Sequence, residues 1–288
     1  MQYFVSAENS SYFYWQLELL IESFLMHGLE DKLVIGLAEN NNPKIRGFSS
    51  NLVNYGTKFI HENEGEKAEY LPINRVESIR HALAYGILKY PFVLIHADMI
   101  LKNPISLDGE EDFGIIVNNL EELESDQNSI KNALDPFLDK LADERSVEKK
   151  DLPILPLFSF PIVFNEPSEF VSDVFFSKLQ MNMIEILKEK GSKFPCERAA
   201  LELTLIETFQ HCSIKGKFLS ASMMSDINEM NFIHYKTGVP PVFHKKFFKF
   251  DQGAYHGDGP YEVLMDHNPT INTNYVQSVI KSYKKRNG

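Results

Sequence analysis

Apolar residues fall in short unbroken runs separated by longer amphipathic stretches. Tyr3-Phe4-Val5-Ser6, Lys32 to Ala38, Lys58 to His61 and Phe92 to Ile95 are such runs, rich in branched and aromatic side chains. They predict strands, and the run before Ile95, preceded by Pro91, reads as a buried parallel strand. Between them the spacing turns helical. Ser11 is a fair N-cap for a helix from Tyr12 to about His27, with Trp15, Leu19, Glu22 and Met26 on one face and Leu20, Phe24 and His27 on another. A second helix runs from Val76 to Leu88, with Ile79, Leu83, Ile87 and Leu88 inward. Gly28-Leu29 closes the first helix, Glu39 to Pro43 is a polar turn, and Glu62 to Glu69 reads as a charged loop.

The second half continues the alternation. Leu101 to Leu107 reads as a turn and a short connection, and Asp112 to Val117 as a strand. A helix is expected near Ser129 to Leu141. The proline-containing stretch Ile154 to Phe164 suggests an edge strand or an extended crossing segment. Glu169 to Lys190 is a long helix closed by Gly191, and Phe194-Pro195-Cys196 opens another. Ser213 to Leu219 and Asn231 to His234 are late strands. Strand and helix alternating in this way predict an α/β protein, a Rossmann-type mixed sheet flanked by helices.

Composition narrows the class. The chain has 288 residues, 43% of them hydrophobic, which suits one α/β domain with additions. No apolar run approaches the length of a membrane span. Met1-Gln2-Tyr3-Phe4-Val5 lacks the basic region and long apolar region of a signal peptide, so a first strand is expected there. Cys196 and Cys212 give no disulfide framework, and reduced thiols in a cytoplasmic setting are the expectation. Net charge is −11, unevenly spread. Residues 108–151 hold 14 acidic and 5 basic side chains, and residues 215–288 hold 10 basic and 6 acidic ones. The acidity sits in one surface excursion, which can act as a mobile lid or as a plain solvated insertion. The C-terminal quarter is basic.

Candidate chemistry gathers at strand ends. Ligands of open α/β sheets collect outside the carboxyl ends of the strands. The Phe92 strand ends in His96-Ala97-Asp98, and at i and i+2 the His and Asp are expected on one face. A carboxylate and an imidazole there can hold a divalent cation, and the cation a diphosphate. Ser6, at the end of the first strand, and Ala7 and Glu8, in the loop expected over Ala7 to Ser11, would face base and ribose. Asn74 and Arg75 stand near the start of the second helix. Phe243 to Phe250 interleaves Lys245, Lys246 and Lys249 with aromatics, and Ser282 to Arg286 repeats the theme. Such a mix can track phosphates and stack on bases, while a half-buried strand and a solvated tail account for the same residues. Core packing likewise accounts for Tyr12, Trp15 and Gln16.

His96-Ala97-Asp98 resembles the Asp-x-Asp motif of metal-dependent, nucleotide-sugar-using glycosyltransferases with the GT-A fold, with His at the first acidic position. Leu94 to Ile100 is similar to the motif segment of hydroxyproline arabinosyltransferases and peptidyl-serine galactosyltransferases. Tyr12-Phe13-Tyr14-Trp15-Gln16 resembles an aromatic-Trp-Gln segment near the start of the same catalytic domains. The resemblance implies one GT-A-like catalytic domain over 1–288, divided into a nucleotide-binding half (1–107), the acidic insertion (108–151) and an acceptor half (152–288). It implies Mn²⁺ or Mg²⁺ held by Asp98 and His234, with His96 as a further ligand and His244 and His256 as other imidazoles in reach of the role. It implies Lys236 on the β-phosphate, Arg75 or Arg80 on the nucleotide, and Glu197 or Glu202 at the acceptor hydroxyl. The donor is then a UDP-sugar, with arabinose, galactose or glucose, and the resembling families retain anomeric configuration.

The acceptor has two readings. A 5-hydroxymethylpyrimidine in DNA, as in phage DNA glycosyltransferases, suits a basic C-terminal quarter and the absence of an anchor; a protein or glycan hydroxyl suits the resemblance. A sugar nucleotidyltransferase also uses a metal-bound carboxylate beyond a strand, but Ser6 to Ser11 has neither the glycine nor the lysine of its usual first loop. A non-catalytic binding module that keeps the fold is the remaining alternative.

Overall fold

The computed structural model describes residues 1–8, 11–38, 52–55, 60–63, 66–69, 71–105, 113–117, 134–144, 146–149, 161–164, 173–191, 196–212, 216–220, 232–234 and 271–288. In chain order the elements are β1 (Gln2–Glu8), α1 (Ser11–Met26), β2 (Leu33–Ala38), β3 (Leu52–Tyr55), β4 (Ile60–Asn63), β5 (Glu66–Glu69), α2 (Leu71–Ala84) and β6 (Phe92–Ile95). They continue with β7 (Met99–Leu101), β8 (Phe113–Val117), α3 (134–144), β9 (Ile162–Phe164), α4 (Asp173–Lys190), α5 (Cys196–Cys212), β10 (Gly216–Ser220), β11 (Phe232–His234) and α6 (Ile271–Asn287).

Seven strands form one sheet in the order β10-β8-β9-β6-β1-β2-β3. Every pairing is parallel except those of β9, which runs against both β6 and β8. This is the expected Rossmann-type mixed sheet flanked by helices. Two further pairs stand apart from it, β4 with β5 and β7 with β11, both antiparallel.

Period-2 alternation divides the central strands between two apolar layers. Phe4, Val34, Phe92, Leu94, Ile162 and Phe164 face the layer packed by α2, α4 and α5. Tyr3, Val5, Leu33, Ile35, Val93, Ile95 and Val163 face the layer packed by α1. A third cluster lies beyond α1, where Trp15 and Leu19 meet Ile100, Ile233 and, from α6, Val276, Val279, Ile280 and Tyr283. Trp15 is therefore core, and α1 is buried on two sides. No helix among the described residues is long and apolar enough to cross a membrane.

Several expectations are corrected. Ala7 and Glu8 belong to β1, because the parallel register with β2 carries on through Ala7↔Leu37 and Glu8↔Ala38. The third sheet strand is Leu52–Tyr55; Ile60 and His61 instead enter a hairpin with Glu66–Glu69, a span expected to be loop. The second helix begins at Leu71, earlier than Val76, and already ends at Ala84. The stretch read as an edge or a crossing segment supplies β9, with β6 on one side and β8 on the other. The prolines did not forbid this, since Pro161 lies just before the paired residues and Pro156 further upstream. Leu101 is the last residue of a buried strand and no part of a turn. Ser282 to Arg286 is the end of α6, a helix where a plain tail was expected, with Tyr283 buried against α1 and Lys284, Lys285 and Arg286 exposed.

α2 approaches the sheet closely at Gly36 in β2. A Cβ placed there would lie 2.7 Å from Ser78 Oγ, 2.8 Å from Ser78 Cβ and 2.9 Å from Phe4 Cζ. Overpacking of this kind costs about 1–3 kcal/mol. Gly36→Ala is thus expected to lower the urea midpoint of unfolding by that amount of free energy; an unchanged midpoint would show that α2 can lift away without loss.

Candidate active site

Three chain segments reach the carboxyl edge of the sheet together. Val5 of β1 pairs with Ile95 of β6, so Ser6 and His96 are the next residues out along neighbouring strands. After Ile95 the chain reverses at once. The Met99 N–H donates to the His96 carbonyl at 3.3 Å and the His96 N–H points at Met99 Sδ at 3.5 Å. His96, Ala97 and Asp98 therefore occupy a tight turn and not the end of an extended strand. The expectation that His96 and Asp98 share a strand face is corrected for that reason, since two-residue alternation holds only in extended backbone. Ala97 is buried, and His96 and Asp98 are each partly buried.

The turn delivers the chain into β7, which pairs with β11 in the register Met99↔His234, Ile100↔Ile233, Leu101↔Phe232. Residues opposed across an antiparallel pair have Cα atoms about 4.5–5.5 Å apart. The backbones of Asp98 and His234, from sequence positions far apart, are thereby brought within one residue of direct opposition. The side chains of His234 and Glu8 lie outside the described residues, as do Lys236, His244, Lys245, Lys246, Lys249 and His256 entirely. Among the described residues no three His, Cys, Asp or Glu side chains converge on one point.

β7 is held from its other side by groups the sequence did not single out. The Leu101 N–H donates to Ser23 Oγ at 3.0 Å, and the Tyr275 hydroxyl donates to the Leu101 carbonyl at 2.8 Å. Tyr275 also hydrogen bonds His27 Nε2 at 3.0 Å. Just beyond, the Ile105 N–H donates to the Tyr3 hydroxyl at 3.1 Å. Burial pushes the Tyr3 and Tyr275 phenols up from their ordinary range, which keeps both hydroxyls protonated.

Helices α2 and α5 each precede a parallel strand, so both begin at this same edge. Asn74, near the start of α2, is buried. Arg75, next in line, forms an ion pair with Glu197, the second residue of α5, donating from Nη1 to Oε1. The Arg75 side chain is 14% exposed and that of Glu197 21% exposed. Burial pushes the Glu197 carboxyl above the usual carboxylate range, and the charge and hydrogen bond of Arg75 pull it back. Sequence reasoning had named both residues but for separate partners, and nothing local links positions 75 and 197. Arg80 is drawn elsewhere: Nη1 donates to Gln180 Oε1 on α4 at 3.1 Å, and Gln180 in turn donates to Glu77. Glu202, further along α5, is buried at 4% exposure.

No family model matches the chain, and no curated protein matches it. Among solved structures it is similar to the galactosyltransferase LgtC in complex with donor and acceptor sugar analogs. The TM-score is 0.45 at 11% identity, over 88% of this chain and 94% of that one. It is also similar to a glycosyltransferase involved in the glycosylation of the major capsid of PBCV-1, with a TM-score of 0.40 at 10% identity over 83% of this chain and 96% of that one. At those TM-scores neither likeness decides what this chain does.

The raised carboxyl of Glu197 has a consequence for stability. The folded state holds this proton more tightly than the unfolded state does, so its contribution is complete below the ordinary carboxylate range. That contribution is lost as pH rises from there through the raised value. Glu197→Gln has no proton to lose. Measured by urea titration, its stability relative to the parent chain is expected to climb with pH across this window; a difference that stays flat would mean the carboxyl is not raised.

Proposed function

We propose that this chain is a metal-dependent glycosyltransferase of the GT-A type, moving a sugar from a UDP-sugar to a hydroxyl acceptor. One observation carries the reading. The β7–β11 register brings the backbones of Asp98 and His234, the two residues that the resemblance makes metal ligands, side by side at the carboxyl edge of the sheet. An aspartate and an imidazole suit Mn²⁺ or Mg²⁺ where a diphosphate and water fill the remaining positions. When bound, such a cation stabilises the negative charge that develops on the departing diphosphate.

The residues then take distinct tasks. Ser6, Ala7 and Glu8 face the base and ribose from the end of β1, with His96, Ala97 and Asn74 beside them. Lys236 meets the β-phosphate as a point charge. The acceptor oxygen bonds to the anomeric carbon. The bond from that carbon to the β-phosphate oxygen breaks, its electron pair leaving on UDP, and the hydroxyl proton passes to a carboxylate. Glu197 suits that last task better than Glu202, because it stands at the first turn of α5 with part of its side chain in solvent, whereas Glu202 is enclosed.

For the acceptor we rank 5-hydroxymethylpyrimidine in DNA first. The basic balance of residues 215–288, with Lys245, Lys246 and Lys249 among them, supports it. So do Lys281, Lys284 and Lys285, exposed on α6. A hydroxyl on a protein or glycan is the second reading, favoured by the similarity of Leu94 to Ile100 to enzymes with such acceptors.

A panel of UDP-glucose, UDP-galactose and UDP-arabinose with Mn²⁺, with and without hydroxymethylated duplex, tests the proposal by UDP release. Release that depends on the metal is expected, and Asp98→Ala should reduce it by about 100-fold or more, as removal of a main charge stabiliser does. Silence from every donor would sink the reading. For DNA as acceptor, duplex affinity must weaken steeply as salt rises; affinity indifferent to salt would leave the protein or glycan hydroxyl.

A further inference from the structure

We infer that Arg75 is the positioning residue of Glu197, orienting its carboxylate at the rim for the acceptor hydroxyl, and is not a ligand of the nucleotide. The inference rests on the glycosyltransferase reading and deepens it.

The geometry is specific. α2 and α5 start at the same edge of the sheet, and the ion pair joins the second turn of α2 to the first turn of α5. A guanidinium engaged on a neighbouring carboxylate has part of its fork committed. Because Arg75 is only 14% exposed, its side chain has little room to swing to another partner. The Glu197 side chain is partly exposed as well, so its carboxylate keeps some access to the rim.

Described cations on the neighbouring helices pair with other acids. On α4, which packs against α5, Lys178 is paired with Glu207 at 3.3 Å and Lys190 with Glu189 at 2.7 Å. On α2, Glu77 and Arg80 both face Gln180. Burial raises the Glu197 carboxyl, and the charge and hydrogen bond of Arg75 offset part of that rise. A guanidinium beside a carboxylate lowers its pKa by about 1–3.

The test uses the full chain and the donor that releases UDP. Arg75→Met is expected to move the acidic limb of the kcat/KM profile about 1–3 pH units upward, by the same principle. It should lower kcat at neutral pH and leave the KM for the UDP-sugar within about twofold. Arg75→Lys keeps the charge and should restore most of the limb. A raised KM for the donor with an unmoved limb would overturn the inference and make Arg75 a nucleotide ligand. The Glu197 carboxyl is also titrated directly, by ¹³C NMR of glutamate-labelled protein assigned against Glu197→Gln. Its midpoint should rise in Arg75→Met; an unchanged midpoint overturns the inference even where no turnover is seen. Absence of UDP release from the parent chain, by contrast, removes the glycosyltransferase reading and leaves the titration to decide the pairing.

Discussion

A strand buried on every side must place each backbone N–H and C=O against a partner, and β7 is such a strand. Met99, Ile100 and Leu101 have no exposed surface. β11 supplies one edge. At Leu101 the second edge comes from two side chains, Ser23 of α1 and Tyr275 of α6. A buried polar group left without a partner costs about 1–3 kcal/mol. Satisfying this one short strand therefore requires α1, α6 and β11 all to be in place. The turn that carries His96 and Asp98 inherits its position from that requirement, since its last residue, Met99, is the first of β7.

The same requirement explains why α1 is buried on two sides and how it tolerates a carboxylate there. Glu22 is 2% exposed, yet its two oxygens accept from Ser282 at 2.7 Å and from Arg286 Nε at 2.7 Å, and Arg286 Nη2 lies 2.6 Å away. The Tyr283 hydroxyl donates to Glu18 at 2.6 Å, one turn earlier. A buried charge persists only where it is paired and hydrogen bonded. The basic C-terminal run is thus divided by its environment. Arg286, itself exposed, reaches the buried acid of α1 with its guanidinium, while Lys281, Lys284 and Lys285 are exposed.

What could be read from the sequence follows from how locally each feature is determined. The alternation of Tyr3 and Val5 against Phe4, or of Val93 and Ile95 against Phe92 and Leu94, reports two covered faces directly, and the strands were legible. β3, β7 and β9 have only three or four residues, and each exists because a neighbouring strand pairs with it. One was placed too late, one taken for a connection and one sent to the edge. The candidate site divides in the same way. His96, Asp98 and His234 are candidates singled out by strand ends and a motif. The turn that removes the shared face of His96 and Asp98 was not legible, because it depends on where β7 must go. The pairing of Arg75 with Glu197 spans 122 positions and has no local signature.

That pairing also bears on whether an anion can be held at this edge at all. The first turns of α2 and α5 point their free N–H groups outward, and such helix starts attract negative charge. A lone carboxylate there would compete with a diphosphate for the same field and repel it. Arg75 cancels the charge of Glu197 where it arises, so the acid can stand at the rim without an uncompensated negative charge facing the donor. On the proposed reading a divalent cation between the carboxylate of Asp98 and the phosphates reverses the sign of their interaction. On that reading two acids stand near one anionic substrate, each with its own cation, one a fixed guanidinium and the other a metal ion.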